Sequence, residues 1–135
     1  MDKERLLRYK EKISVIVERR DNIRSWIGED DVKSNLAVYK AYQEMIEALT
    51  DILAMMLKDM GGLVEDDYSN IEKMKDKGVL DDKQSGLLKE ANGLRNRLVH
   101  EYNGIKKRIA VESIKRINSQ IEVVLEEVRG WIKKR

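Results

Sequence analysis

The 135-residue sequence has no cysteine, no proline and no phenylalanine, and it has a single histidine. Without cysteine there can be no disulfide framework, no thiolate metal site and no cysteine nucleophile. One histidine does not supply the paired Glu-x-x-His sets of di-iron bundles, and the residue three before it is Arg97. Long hydrophobic runs are missing as well. The longest, ILAMML at 52–57, is far too short to span a bilayer, and the start MDKERLLRYKEK has no continuous apolar stretch. The expectation is a cytoplasmic protein with no membrane segment, no metal and no cofactor. A Gly-rich phosphate loop, a G-x-S-x-G elbow and a dinucleotide fingerprint are all absent, so ATP hydrolysis and serine-hydrolase chemistry have no foothold.

What is present is charge and aliphatic bulk: 39% of residues are charged and 41% hydrophobic, with only 5% aromatic. Chains of this length build one core, so one domain over 1–135 is expected, and Ile, Leu, Val and Met without proline suit packed helices. The net charge of +2 is unevenly spread. Residues 1–92 carry 16 basic and 20 acidic side chains, whereas residues 93–135 carry 11 and 5. A basic final third favours polyanions, although charged helices also occur as plain solvated faces.

Apolar residues recur at helical spacing from end to end. Leu6, Tyr9, Ile13, Ile16, Ile23 and Ile27 mark a first helix ending near Gly28, and Asp30 or Asp31 caps a second. Leu36, Tyr39, Ile46, Leu49, Leu53 and Met56 form its stripe, which ILAMML widens around the helix, so this helix is expected at the bundle centre. Gly61 and Gly62 end it. SNIE at 69–72 has the form of a capping box for a short helix closing by Gly78, and Asp81 or Asp82 caps a fourth with Leu87, Ala91, Leu94 and Leu98 inward. YNG at 102–104 is its exit turn. Ile114, Ile117, Ile121, Val124, Leu125, Val128 and Ile132 define a last helix. The fold class is therefore all-α: an antiparallel bundle of four long helices and one short one.

The stretch RNRLVHEY at 95–102 holds the lone histidine. With roughly 100° per residue, His100 falls on the side away from the inward stripe, which disfavours a buried structural histidine. Asn96 lies four residues earlier on the same face, where its amide is placed to hold one ring nitrogen. Arg95 and Tyr102 share a different face, so a straight helix does not aim Arg95 and His100 at one point within one chain.

Arg95, His100, Glu101 and Tyr102 match an R-x4-H-x-Y motif, set in GLRNRLVHEYN. With the helix NLAVYKAYQEMIEALTDILAMML and the segment DYSNIEKMKDKGVL, about the last hundred residues resemble HepT-like proteins of the HEPN superfamily. The resemblance implies a homodimer with the motifs near its interface. It further implies a toxin of a toxin–antitoxin pair, a metal-independent ribonuclease whose antitoxin is a minimal nucleotidyltransferase that transfers AMP to the motif tyrosine. Arg95 would then bind phosphate, His100 act as catalyst and Tyr102 accept AMP.

The residue types suit that chemistry. Metal-free RNA cleavage needs a base, an acid and a cation, and histidine and arginine supply these near neutral pH. A base and acid pair of histidines requires two copies of the chain. Glu47 and Asp51, four apart on the second helix, are candidates to orient Arg95 or His100, or are ordinary solvated carboxylates. Lys106, Lys107 and Arg108 are candidates to guide an RNA backbone. The alternative is a non-catalytic helical module that binds nucleotide or RNA and serves a nucleotidyltransferase as its partner subunit.

Overall fold

Four of the five helices begin where an aspartate or its neighbour caps the first turn. In the computed structural model, which describes residues 1–100 and 102–135, α1 is Lys3–Trp26, α2 Val32–Asp59, α3 Asp67–Asp76, α4 Asp82–His100 and α5 Lys107–Lys133, with a 3-10 turn at Tyr102–Gly104 between the last two. Asp2, Asp31 and Asp66 each accept a hydrogen bond from the backbone N–H three residues on, at 2.8, 2.8 and 2.9 Å. Asp81 and Gln84 form a reciprocal capping box, each side chain accepting from the other's N–H. The α3 cap differs from the expected SNIE box. Asp66 is the cap, Ser69 donates to it, and Glu72 pairs with Lys75 and Lys89 instead.

Two helices end in a left-handed glycine. Gly61 and Gly78 have φ of 78° and 77°. In each case the glycine N–H and the one after it bond back to helix carbonyls, Lys58 and Leu57 for α2, and Lys75 and Met74 for α3. Gly28 ends α1 without a positive φ.

Helix α2 is central, as its wide apolar stripe predicts. It packs against α1, α3 and α4, while α5 closes the bundle on α1 and α4. An ion-pair ladder of Arg5–Asp59, Lys12–Asp51 and Arg19–Glu44 fixes α1 antiparallel to α2. Arg116–Glu90 and Gln84–Glu127 set α5 antiparallel to α4. The core runs the length of α2, with Tyr42, Met45, Leu49, Ile52 and Met56 fully enclosed.

Some stripe positions differ from the sequence reading. Leu36 fits the apolar spacing of α2 and is nonetheless 47% exposed. Leu88, at 1% exposure, takes the core position expected of Leu87, which is half-buried. Trp131 enters the core against Tyr9, while Ile132 stays at its edge. Among the described residues no helix is long and apolar enough to cross a membrane.

Candidate active site

Helix α4 carries Arg95 and His100, Tyr102 lies in the 3-10 turn that follows, and two contacts hold α4 against its neighbours. The buried Tyr42 hydroxyl of α2 donates to the Ala91 carbonyl at 2.7 Å. Burial pushes that phenol well above its ordinary pKa, so it remains a donor. Tyr68 makes the second contact over Gly93, where a Cβ would stand 2.9 Å from its hydroxyl oxygen. A mid-helix glycine costs about 1 kcal/mol relative to alanine. Here α3 lies against α4, and Asp67, beside Tyr68, meets Arg95.

Arg95 is largely enclosed, its side chain 19% exposed. Its Nη2 donates to Asp67 at 3.1 Å and to the buried Asn92 at 3.2 Å, while its Nε is buried without a hydrogen-bond partner. One edge of the guanidinium is thus held by α3. The carboxylate on Arg95 is Asp67, and neither Glu47 nor Asp51 reaches it. Asp51 is engaged by Lys12 at 2.8 Å in the α1 ladder, and Glu47 is exposed. Asn92, three residues before Arg95, was legible as a same-face neighbour; Asp67, 28 residues away, had no signal beyond the acidic EDD run at 65–67.

His100 is the last residue of α4 and is exposed. Among the described residues no hydrogen bond joins it to Asn96, which is half-buried, or to Arg95. Glu101 lies outside the described residues. Tyr102 is 46% exposed and packs edge-on against Tyr39 of α2, ring centroids 5.8 Å apart at 74°. Within one chain the three motif side chains therefore have separate surroundings.

The three cations after the motif open α5. Lys106 occupies the N-cap position and makes no side-chain cap bond. Lys107 pairs with Asp30 at 2.6 Å and Arg108 with Glu112 at 3.2 Å. Positive charge at a helix N-terminus opposes the macrodipole, so this cluster is placed against local helix stability. Among the described residues no three His, Cys, Asp or Glu side chains stand together as metal ligands.

The family described as Ribonuclease HepT-like has a model that matches residues 6–128. This chain belongs to that HepT-like family. Two proteins of Archaeoglobus fulgidus, each named "Putative RNase", are 38% identical over 130 residues, covering 94% of this chain and 95% of the relative, and 34% identical over 122 residues, covering 90% and 92%. The HepT-like chain also shares its fold with two solved structures. A toxin–antitoxin complex with AMP-PNP superposes with a TM-score of 0.83 at 19% identity, over 95% of this chain and 99% of that one. A tri-AMPylated Shewanella oneidensis HEPN toxin in complex with MNT antitoxin does so with 0.72 at 20%, over 91% and 99%. The matched residues include all three motif side chains of the HepT-like chain.

Proposed function

We propose that this HepT-like chain is the RNA-cutting toxin of a toxin–antitoxin pair and that it works as a homodimer without a metal. The observation that carries the reading is an intact Arg95 and His100 on one helix of a ribonuclease-family chain, with the imidazole open to solvent. As base, His100 takes the proton of a ribose 2′-OH, and the 2′-oxygen attacks the adjacent phosphorus. The P–O5′ bond breaks, and the leaving oxygen receives a proton from the acid. The products are a 2′,3′-cyclic phosphate and a 5′-OH. The acid is His100 of a second copy, since each chain has one histidine. Arg95 stabilises the charge on the phosphate through Nη1, the guanidinium nitrogen that is neither buried nor held by Asp67 and Asn92.

Regulation acts through Tyr102. A minimal nucleotidyltransferase, the kind of antitoxin seen beside the Shewanella toxin, transfers AMP from ATP. The phenol oxygen attacks the α-phosphorus, pyrophosphate departs, and the phenol proton is released. The bulky anion then competes with RNA for Arg95.

The fixed Arg95–Asp67 contact favours one second reading, a binding subunit in which the arginine is structural. Cleavage of end-labelled tRNA in EDTA separates the two. The toxin reading expects cutting by the wild type and none by a folded, dimeric His100→Ala variant. No cutting of any of several RNAs by either protein would favour the binding subunit, and a monomer that still cuts would overturn the composite site.

A further inference from the structure

Beside Tyr102 a cavity of about 270 Å³ opens between the first turns of α2, the end of α4 and the start of α5. Val32, Leu98 and Ile105 give it apolar walls, and Asn35, Tyr39 and Lys107 supply its polar groups. Asn35 is only 9% exposed and Tyr39 only 7%. Among the described residues neither the Asn35 amide nor the Tyr39 hydroxyl has a hydrogen-bond partner. Both residues line the cavity with their polar groups unpaired and accessible, so a ligand seated there meets two free hydrogen-bonding groups on otherwise enclosed side chains. Lys107, held by Asp30, stands at the same cavity as a fixed cation.

The combination matches one ligand chemistry. An amide presents a donor and an acceptor side by side, which suits the paired groups on a purine edge, adenine above all. Aromatic and aliphatic walls accept the faces of an unstacked base. An ammonium group at the rim suits a phosphate. The volume suits a base with its sugar, too small for a helix or a peptide.

We propose that this cavity is an adenine-nucleotide subsite, with Asn35 and the Tyr39 hydroxyl on the base edge and Lys107 on the phosphate. The subsite rests on the toxin reading only for where its nucleotide comes from: either the adenylyl group carried on Tyr102 or an adenosine of the RNA beside the cut. On the first source it holds the modifying group in place over the site, and on the second it sets base preference next to the scissile bond.

The test is calorimetric titration of 5′-AMP and 5′-CMP into the full-length protein and into two variants. Asn35→Ala removes the amide. Val32→Trp fills the mouth from a side chain that is 74% exposed, so it leaves the core untouched; thermal melts check that both variants fold. The expected result is AMP bound in preference to CMP, with each variant weakening AMP at least tenfold. No AMP binding by the wild type, or equal binding by wild type and Val32→Trp, would overturn the subsite. Two kinetic readouts then name the source. A raised KM for RNA with unchanged kcat assigns it to substrate, and slower AMP transfer to Tyr102 assigns it to the modification. Neither moving would overturn a role at this site. Because AMP binding needs no catalysis, an inactive protein that binds AMP in a Val32-sensitive way would refute the toxin reading and leave the subsite standing.

Discussion

Removing the Asp67 carboxylate tests whether Arg95 is positioned from outside its own helix. Two unit charges about 4 Å apart at an effective dielectric near 20 attract by roughly 4 kcal/mol. Much of that is offset, because the Asp67 side chain is 34% exposed and both groups lose hydration. A net cost of about 1.5 kcal/mol for Asp67→Ala falls between exposed and buried pairs, and Asn92 retains part of the guanidinium's anchorage. With roughly 2.1 cal/mol/K of unfolding entropy per residue, 135 residues convert this to a Tm drop of about 5 °C. The drop must be read at fixed protein concentration if the protein is dimeric. Asp67→Asn keeps an acceptor oxygen and should lose about half as much. A double-mutant cycle with Arg95→Ala removes the separate contribution of Asp67 to the α3 N-terminus and should leave a coupling near 1 kcal/mol. Activity should fall about tenfold in kcat/KM for Asp67→Ala, against a hundredfold or more for Arg95→Ala, since a misplaced cation still reaches the phosphate part of the time. Coupling below about 0.3 kcal/mol, or faster cleavage by Asp67→Ala, would refute the positioning role. Faster cleavage would mean that the carboxylate competes with RNA.

Three further outcomes are expected. Lys106→Ser provides the missing cap for α5 and removes a cation from its positive end, so it should raise stability by about 0.5–1 kcal/mol while weakening RNA binding and flattening its salt dependence; an unchanged salt slope counts against an RNA-guiding role for this cluster. Leu88→Ala should cost about 2–5 kcal/mol in urea unfolding and Leu87→Ala about 1, and equal losses would contradict the observed rotation of α4. Acid should destabilise the fold only at low pH. Burial pushes Asp59 up, but hydrogen bonds from Arg5 and Tyr9 outweigh it, and backbone and serine bonds hold Asp31 and Asp66 below the usual carboxylate range. Folded-state values below the unfolded value of about 3.9 mean that the stabilisation is present above that pH and is lost as pH falls through the lower folded values. Melts should therefore change little from pH 7 to 5 and fall below about pH 4, less steeply in Tyr9→Phe, which removes the 2.6 Å bond to Asp59. A main loss between pH 7 and 5 would contradict this assignment.

The sequence determined whatever is local. Caps, glycine stops and 3.6-residue spacing act within a turn or two of chain, so five helices, the Asp31 cap, the Gly78 stop and the central place of α2 were legible from residue order. The outward direction of His100 was legible for the same reason, because rotation along a helix is periodic. The motif and its flanks were equally plain, and they carried the family. Tertiary structure decided which neighbours those helices meet. Asp51 and Glu47 read equally as partners for the motif or as solvated carboxylates, and only the packing of α1 along α2 gives Asp51 to Lys12. Leu36 fits the apolar period and still faces solvent, because periodicity says where a residue points and not whether another helix lies there. Asp67 reaches Arg95 because α3 packs on α4, and the cavity beside Tyr102 exists only where two stretches distant in sequence, 32–39 and 98–107, converge. Side-chain pairing across such separations depends on packed interhelical distances, which residue order along one helix does not encode.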